Sequence, residues 1–235
     1  MKTLMRTIGD AVLHLIYPHI CAGCGTDTLP SGSRLCIKCL HQLPVTHFEV
    51  QINNPVEKIL AGRVRFERAT AQFYFHKNAS LQRMMHQFKY RGIKDIGHQL
   101  GTIMGHQLLH SGRFDDIDIL IPMPLHESRE RKRGYNQAKV LCDAIAQVLN
   151  KPVIENAVQR VVATDTQTKK DRIARWQNMS KKFSLINAAV LEGKHVLLVD
   201  DVITTGATIE ACAEALYTAK GVQLSIATLC YASYI

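Results

Sequence analysis

The segment 196–208, VLLVDDVITTGAT, runs from an apolar stretch through a polar turn into the start of a helix. Val196, Leu197, Leu198 and Val199 form an unbroken apolar run, the mark of a strand buried on both faces in a parallel sheet covered by helices. In open sheets of that kind, ligands bind in the crevice outside the carboxyl ends of the strands. Asp200 and Asp201 arrive at that mouth, where two carboxylates can accept hydrogen bonds from vicinal hydroxyls. Thr204, Thr205, Gly206 and Ala207 then turn tightly, and Gly206 lets the backbone approach a ligand closely. With Thr208 a helix begins, so backbone N–H groups and Thr hydroxyls converge on a ready anion site. Carboxylates beside such a nest suit a ribose phosphate, whose diol and phosphate lie on opposite sides of one sugar. The plainer alternative is an acidic helix cap and a turn glycine. Two adjacent acids after a core strand, then two Thr and a Gly, ask for more than capping.

The flanking sequence alternates strands with helices. Residues 69–76 carry the aromatic cluster Phe73, Tyr74 and Phe75 and read as a strand, and 81–88 read as a helix ending in Lys89, Tyr90, Arg91 and Gly92. Ile96, Leu100, Ile103, Met104 and Leu108 fall on one helical face. A short apolar strand, 119–121, ends at Pro122 and enters a basic loop, followed by an amphipathic helix over 137–149. Further strands are expected at 158–163 and 222–231, and a helix at 208–219; 164–182 is polar and basic without a period. This order predicts an α/β fold, a mainly parallel sheet flanked by helices.

Cys21, Cys24, Cys36 and Cys39 precede it as C-x2-C, eleven intervening residues, C-x2-C. Two knuckles with two thiolates each give the sulfur set that a structural zinc prefers, with a dithiol redox pair or two disulfides as the alternatives. Four thiolates leave no open position for catalysis, so the expected role is architectural. Asn53, Asn54 and Pro55 mark a loop between this ribbon and the main body, giving two regions, 1–47 and 48–235. Leu4, Ile8, Val12, Leu15 and Ile16 recur at helical spacing, so an amphipathic helix leads into the ribbon rather than a cleaved leader. Cys142, Cys212 and Cys230 sit among apolar residues and are expected to be buried.

With 235 residues, 46% of them hydrophobic and 21% charged, the chain is neither a disordered nor a fibrous sequence. The longest stretches without charge fall short of about 20 apolar residues, so no membrane insertion is expected. Lys and Arg number 29 against 20 acids, a formal charge of +9. Three segments, 83–94, 125–139 and 169–182, carry more than that whole excess. They flank the expected ligand loops, which points to polyphosphate or nucleic acid.

The segment 196–208 resembles the phosphoribosyl diphosphate motif of type I phosphoribosyltransferases. Four further features narrow the resemblance to the ComF family, which includes GntX-like proteins. They are the four-cysteine N-terminus, KYRG at 89–92, PMPL at 122–125, and Arg129 followed by Arg133, Gly134, Tyr135, Asn136 and Gln137. Gln167, Thr168, Arg172 and Asn178 continue the pattern, although Lys169 and Lys170 stand where the family carries a Leu. The resemblance implies that Asp200 and Asp201 hold the ribose hydroxyls with Mg2+, and that residues 204–208 cradle the 5'-phosphate. It also implies a pyrophosphate loop after Pro122, a lid at 163–178, and pyrophosphate or base contacts from Lys89, Arg133 and Asn136. It further implies phosphoribosyl diphosphate or a nucleotide as ligand, a cytoplasmic protein, and a link to DNA uptake. Single-stranded DNA and a competence helicase are the partners that would follow, with Tyr90, Tyr135 or Trp176 stacking on bases. A non-catalytic DNA-binding factor that uses the site as a nucleotide sensor is the rival reading, and a purely structural ribbon protein is the third.

Overall fold

A computed structural model describes residues 20–30, 32–75, 79–161 and 182–232. The amphipathic helix expected before the ribbon and the lid segment 163–178 lie outside the described residues. The strands are β1 (Arg68–Tyr74), β2 (Ile119–Pro122), β3 (Val158–Arg160), β4 (Phe183–Leu185), β5 (His195–Ile203) and β6 (Gln223–Tyr231). Four of them form a sheet in the order β1-β6-β5-β2, every pair parallel. The helices are α1 (Ile37–His41), α2 (Pro55–Leu60), α3 (Ala79–Tyr90), α4 (Lys94–Ser111), α5 (Glu127–Arg133), α6 (Gln137–Leu149) and α7 (Ala207–Leu216).

The apolar run in β5 serves two cores because successive side chains point to opposite faces. Leu197 and Val199 join the core under α3, α4 and α6, while Val196 and Leu198 join the one under α2 and α7. Close packing on the first face depends on Gly101, where a Cβ would stand 2.8 Å from the Cβ of Ala144 in α6. The strands and helices expected within the described residues are present, with four differences. β5 continues through Asp200 and Asp201 to Ile203, because Val202 and Ile203 stay in register with Cys230 and Tyr231. The basic loop after Pro122 contains α5, held by its caps: His126 accepts from Ser128 N–H, and Gly134 ends the helix at φ 80°. The stretch expected to be an irregular loop holds α2, for Asn54 accepts from the N–H groups of Val56 and Glu57 while Pro55 takes the first helical position. Finally β4, which the sequence does not announce, pairs antiparallel with β3.

The cysteine ribbon packs on the same core as α3. Cys21, Leu35, Cys36 and Cys39 share it with Leu81, Met84 and Phe88. Among the described residues, no helix is long and apolar enough to cross a membrane.

Candidate functional site

The carboxyl end of β5 brings two acids to the sheet edge, and strand alternation separates them. Asp201 meets α3, whose last turn places Lys89 Nζ 2.7 Å from its Oδ2. Asp200 sits deeper, and its Oδ1 accepts the N–H of Asp201 at 2.8 Å. Burial, and then the charge of Asp201, push the Asp200 carboxyl up to about 7.

The turn that follows is clamped from behind. Gly206 has φ 75°, and a Cβ there would lie 2.8 Å from Leu60 Cδ2, so a side chain would be strained twice. Arg63 donates to the Thr205 carbonyl and to the Glu210 carboxylate, both at 2.5 Å. That leaves Thr205, Ala207 and Thr208 exposed and Thr204 half-buried at the start of α7. The first N–H groups of this helix have no intrahelical partner by construction, the arrangement that favours an anion at a helix start.

The second wall is built from 122–137. Met123 N–H donates to Val199 O at 2.7 Å, which fixes this loop beside β5. Asn136 caps α6 by accepting from Ala138 N–H at 3.0 Å, and its Nδ2 donates to Met123 O at 3.0 Å. The Arg133 guanidinium donates to Gln137 Oε1 at 2.7 Å and lies 5.6 Å from the centre of the Tyr90 ring. Tyr135 hydroxyl donates to Phe88 O, joining this wall to α3.

These walls enclose a cavity of about 200 Å³ lined by Lys89, Arg133, Asn136, Asp200, Asp201 and Thr208, together with Arg129 and Arg160. Six of the sequence-expected residues are thus brought together. Thr204, Thr205, Gly206 and Ala207 form the adjoining turn without lining the cavity. Four cationic side chains face two carboxylates there, so the cleft has excess positive charge suited to a polyphosphate. Arg160 is the residue that sequence reading missed. It stands in β3 over the Phe183 ring, and burial, then the Arg129 charge, lower its pKa. A lone Arg in a three-residue strand carries no signal of this position. A larger cavity of about 750 Å³ adjoins and shares Pro124, Leu125, Asn136 and Arg160.

The sulfurs of Cys21, Cys24, Cys36 and Cys39 all lie within 4.8 Å of one another, with Cys24 and Cys36 at 3.6 Å. All four are free thiols, so the two-disulfide alternative is not what this structure contains. A tetrahedral site with metal–sulfur bonds of about 2.3 Å has sulfur–sulfur edges of about 3.8 Å, so the set fits a metal. Cys21 Sγ accepts N–H bonds from Gly23 at 3.4 Å and Cys36 at 3.3 Å. Burial raises the Cys21 thiol, but the backbone N–H groups of Cys24, Cys36 and Gly23, with the Cys36 side chain, outweigh it and bring it down to about 6. Burial and the neighbouring sulfurs push Cys39 far up.

A family model for the phosphoribosyl transferase domain matches residues 136–233, which include α6, the acidic strand and the turn. Competence protein F of Haemophilus influenzae is 32% identical over 199 residues, 83% of this chain and 77% of that protein. The chain belongs to the ComF family. The DNA utilization protein YhgH of Escherichia coli is 28% identical over 214 residues, 90% of this chain and 89% of its own length. Among solved structures, the glutamine phosphoribosylpyrophosphate amidotransferase of Bacillus subtilis matches 60% of this chain and 30% of its own at 17% identity and a TM-score of 0.41. As a ComF-family protein, the chain carries a phosphoribosyltransferase-type α/β domain behind a four-cysteine cluster.

Proposed function

We propose that this ComF-family chain binds 5-phosphoribosyl diphosphate in the cleft and transfers the phosphoribosyl group to a nitrogenous base, releasing pyrophosphate. The observation that carries the reading is the pairing of Lys89 with Asp201 beside Asp200, opposite the start of α7. In this reading Asp200 and Asp201 accept the ribose hydroxyls, and residues 204–208 cradle the 5'-phosphate. Lys89 has two N–H groups beyond the one given to Asp201, and with Arg129, Arg133 and Arg160 it balances the diphosphate. The base nitrogen forms a bond to the anomeric carbon as the carbon–oxygen bond to pyrophosphate breaks, with oxocarbenium character between. The protein's work is positioning and charge stabilisation. Asp200 and Asp201 bring two adjacent carboxylates to the cavity, the hard oxygen donors that fit Mg2+; the ion would supply charge neutralisation to the diphosphate.

The four cysteines would hold a structural zinc whose binding contributes folding free energy to a ribbon too small to fold alone. Residues 1–47 then serve the metal and 48–235 the ligand. Seven cysteines, all free, suit the reducing cytoplasm. Relatives named for competence and DNA utilization favour a second reading, a single-stranded DNA-binding factor or helicase partner that uses the cleft as a nucleotide sensor. Exposed Tyr90, at 60%, beside Arg91 would offer it a stacking face.

Calorimetry with phosphoribosyl diphosphate and Mg2+ tests the first reading. Asp200→Asn with Asp201→Asn should abolish binding, and pyrophosphate release across a panel of nucleobases should require Asp201. Unchanged affinity in the double variant would overturn the assignment. Binding without turnover, joined to single-strand affinity that falls steeply with salt, would favour the sensor.

A further inference from the structure

One helix touches both sites. The first knuckle of the ribbon, between Cys21 and Cys24, presents two backbone carbonyls to α3: Arg83 Nε donates to Gly23 O at 2.6 Å, and Gln87 Nε2 donates to Ala22 O at 2.9 Å. The approach is close enough that a Cβ on Gly23 would stand 2.5 Å from Met84 Cε and 2.7 Å from Cys39 Sγ. Two residues beyond Gln87, Lys89 reaches Asp201 at 2.7 Å, and between them Phe88 O accepts the Tyr135 hydroxyl. The ribbon also grips the next helix, for Arg34 pairs with Asp95 at 3.1 Å and Gln99 Nε2 donates to Ser33 Oγ at 3.0 Å.

We propose that metal occupancy of the four-cysteine site sets the affinity of the cleft for its sugar phosphate, by fixing where α3 places Lys89. The ribbon has little core of its own, so the ligated sulfurs decide where the Ala22 and Gly23 carbonyls stand. Those carbonyls hold Arg83 and Gln87, and a helix is stiff enough that the turn they hold governs the turn carrying Lys89. Without the metal the knuckle loosens and the Lys89–Asp201 pair is no longer imposed. Arg83 and Gln87 are therefore positioning residues that touch neither ligand. Coupling between sites is reciprocal, so a ligand in the cleft must hold the metal in the ribbon by the same factor.

This inference rests on the proposed ligand, and the test separates the two. Affinity for phosphoribosyl diphosphate with Mg2+ is measured on the zinc-loaded full chain and after chelation with Mg2+ restored. Zinc release to a chromophoric chelator is followed with and without phosphoribosyl diphosphate. The expected result is about tenfold weaker sugar-phosphate binding without zinc, and zinc held about tenfold more tightly with the sugar phosphate present. Zinc-loaded Arg83→Ala with Gln87→Ala keeps every cysteine and Lys89; with its fold checked by circular dichroism and its zinc content by metal analysis, it should lose both effects. Affinity indifferent to zinc, or coupling that survives in this variant, would overturn the proposal. Should the zinc-loaded protein not bind phosphoribosyl diphosphate at all, the functional reading falls by itself. Amide exchange over 79–90 then decides the coupling: faster exchange at 88–90 on zinc removal supports it, and unchanged exchange overturns it.

Discussion

The cysteine cluster and the acidic cleft both gather groups that repel one another, yet they hold them by different means. At the cleft the chain supplies its own counter-charge: Lys89 meets Asp201 at 2.7 Å, and Asn136 locks the facing wall to Met123 O. At the cluster the sulfurs' partners are backbone N–H groups and one another, with Cys24 and Cys36 at 3.6 Å. The cleft is thus assembled before any ligand arrives, whereas the cluster, in the proposed reading, takes its cation from outside. The largest predicted effect follows from that difference. Cys39→Ser removes a buried ligand and should abolish zinc binding, with a loss of about 4 kcal/mol read as a fall of about 10 °C in Tm. Metal content and a thermal melt check this, and an unchanged Tm would break the contrast by showing that packing alone holds the ribbon.

The cleft's own cost lies in Asp200. Its folded pKa of about 7 is above the ordinary 3.8, with burial as the first cause and Asp201 as the second. The sign follows from linkage: the neutral form suits the folded state, so this contribution is full below about 4 and is lost as pH rises through about 7. Ligand-free protein should therefore lose stability across that window, at up to about 1.4 kcal/mol per pH unit from this group. Asp200→Asn should flatten the slope, as denaturation midpoints at pH 5, 6, 7 and 8 without divalent cations would report. A slope that persists in the variant would assign the titration elsewhere.

The two regions also differed in how far their sequences announced them. The cysteine spacing foretold the cluster because ligand geometry is local, two knuckles closing on one point. The α6 boundaries were legible because Asn136 caps a period of apolar residues that ends at Leu149. α5 was not legible, since ESRERKR has no apolar face and the helix is held by His126, Gly134 and the Glu127–Arg131 pair. For α2 the signal was present in Asn54 and Pro55, but six residues are too few for a period to show. Arg160 joined the cleft only through the pairing of β3 with β4, whose partner residues lie more than twenty positions apart. Tertiary contacts of that kind leave no trace in local pattern.

The smallest prediction asks whether the cleft is preassembled by its backbone or merely lined by the right charges. Asn136 does two jobs there, accepting from Ala138 N–H to cap α6 and donating to Met123 O to hold the loop after β2. Asn136→Asp keeps the acceptor for the cap and loses the donor. Asn136→Ala loses both, and should cost about 1 kcal/mol of stability through the cap alone. If the wall's position matters to ligand binding, the Asp variant should bind phosphoribosyl diphosphate several-fold more weakly than the native chain while melting within about 0.5 kcal/mol of it. Equal affinity in the Asp variant would mean that the Met123 tie is dispensable. The cleft would then resemble the cluster after all, a set of groups that its ligand organises.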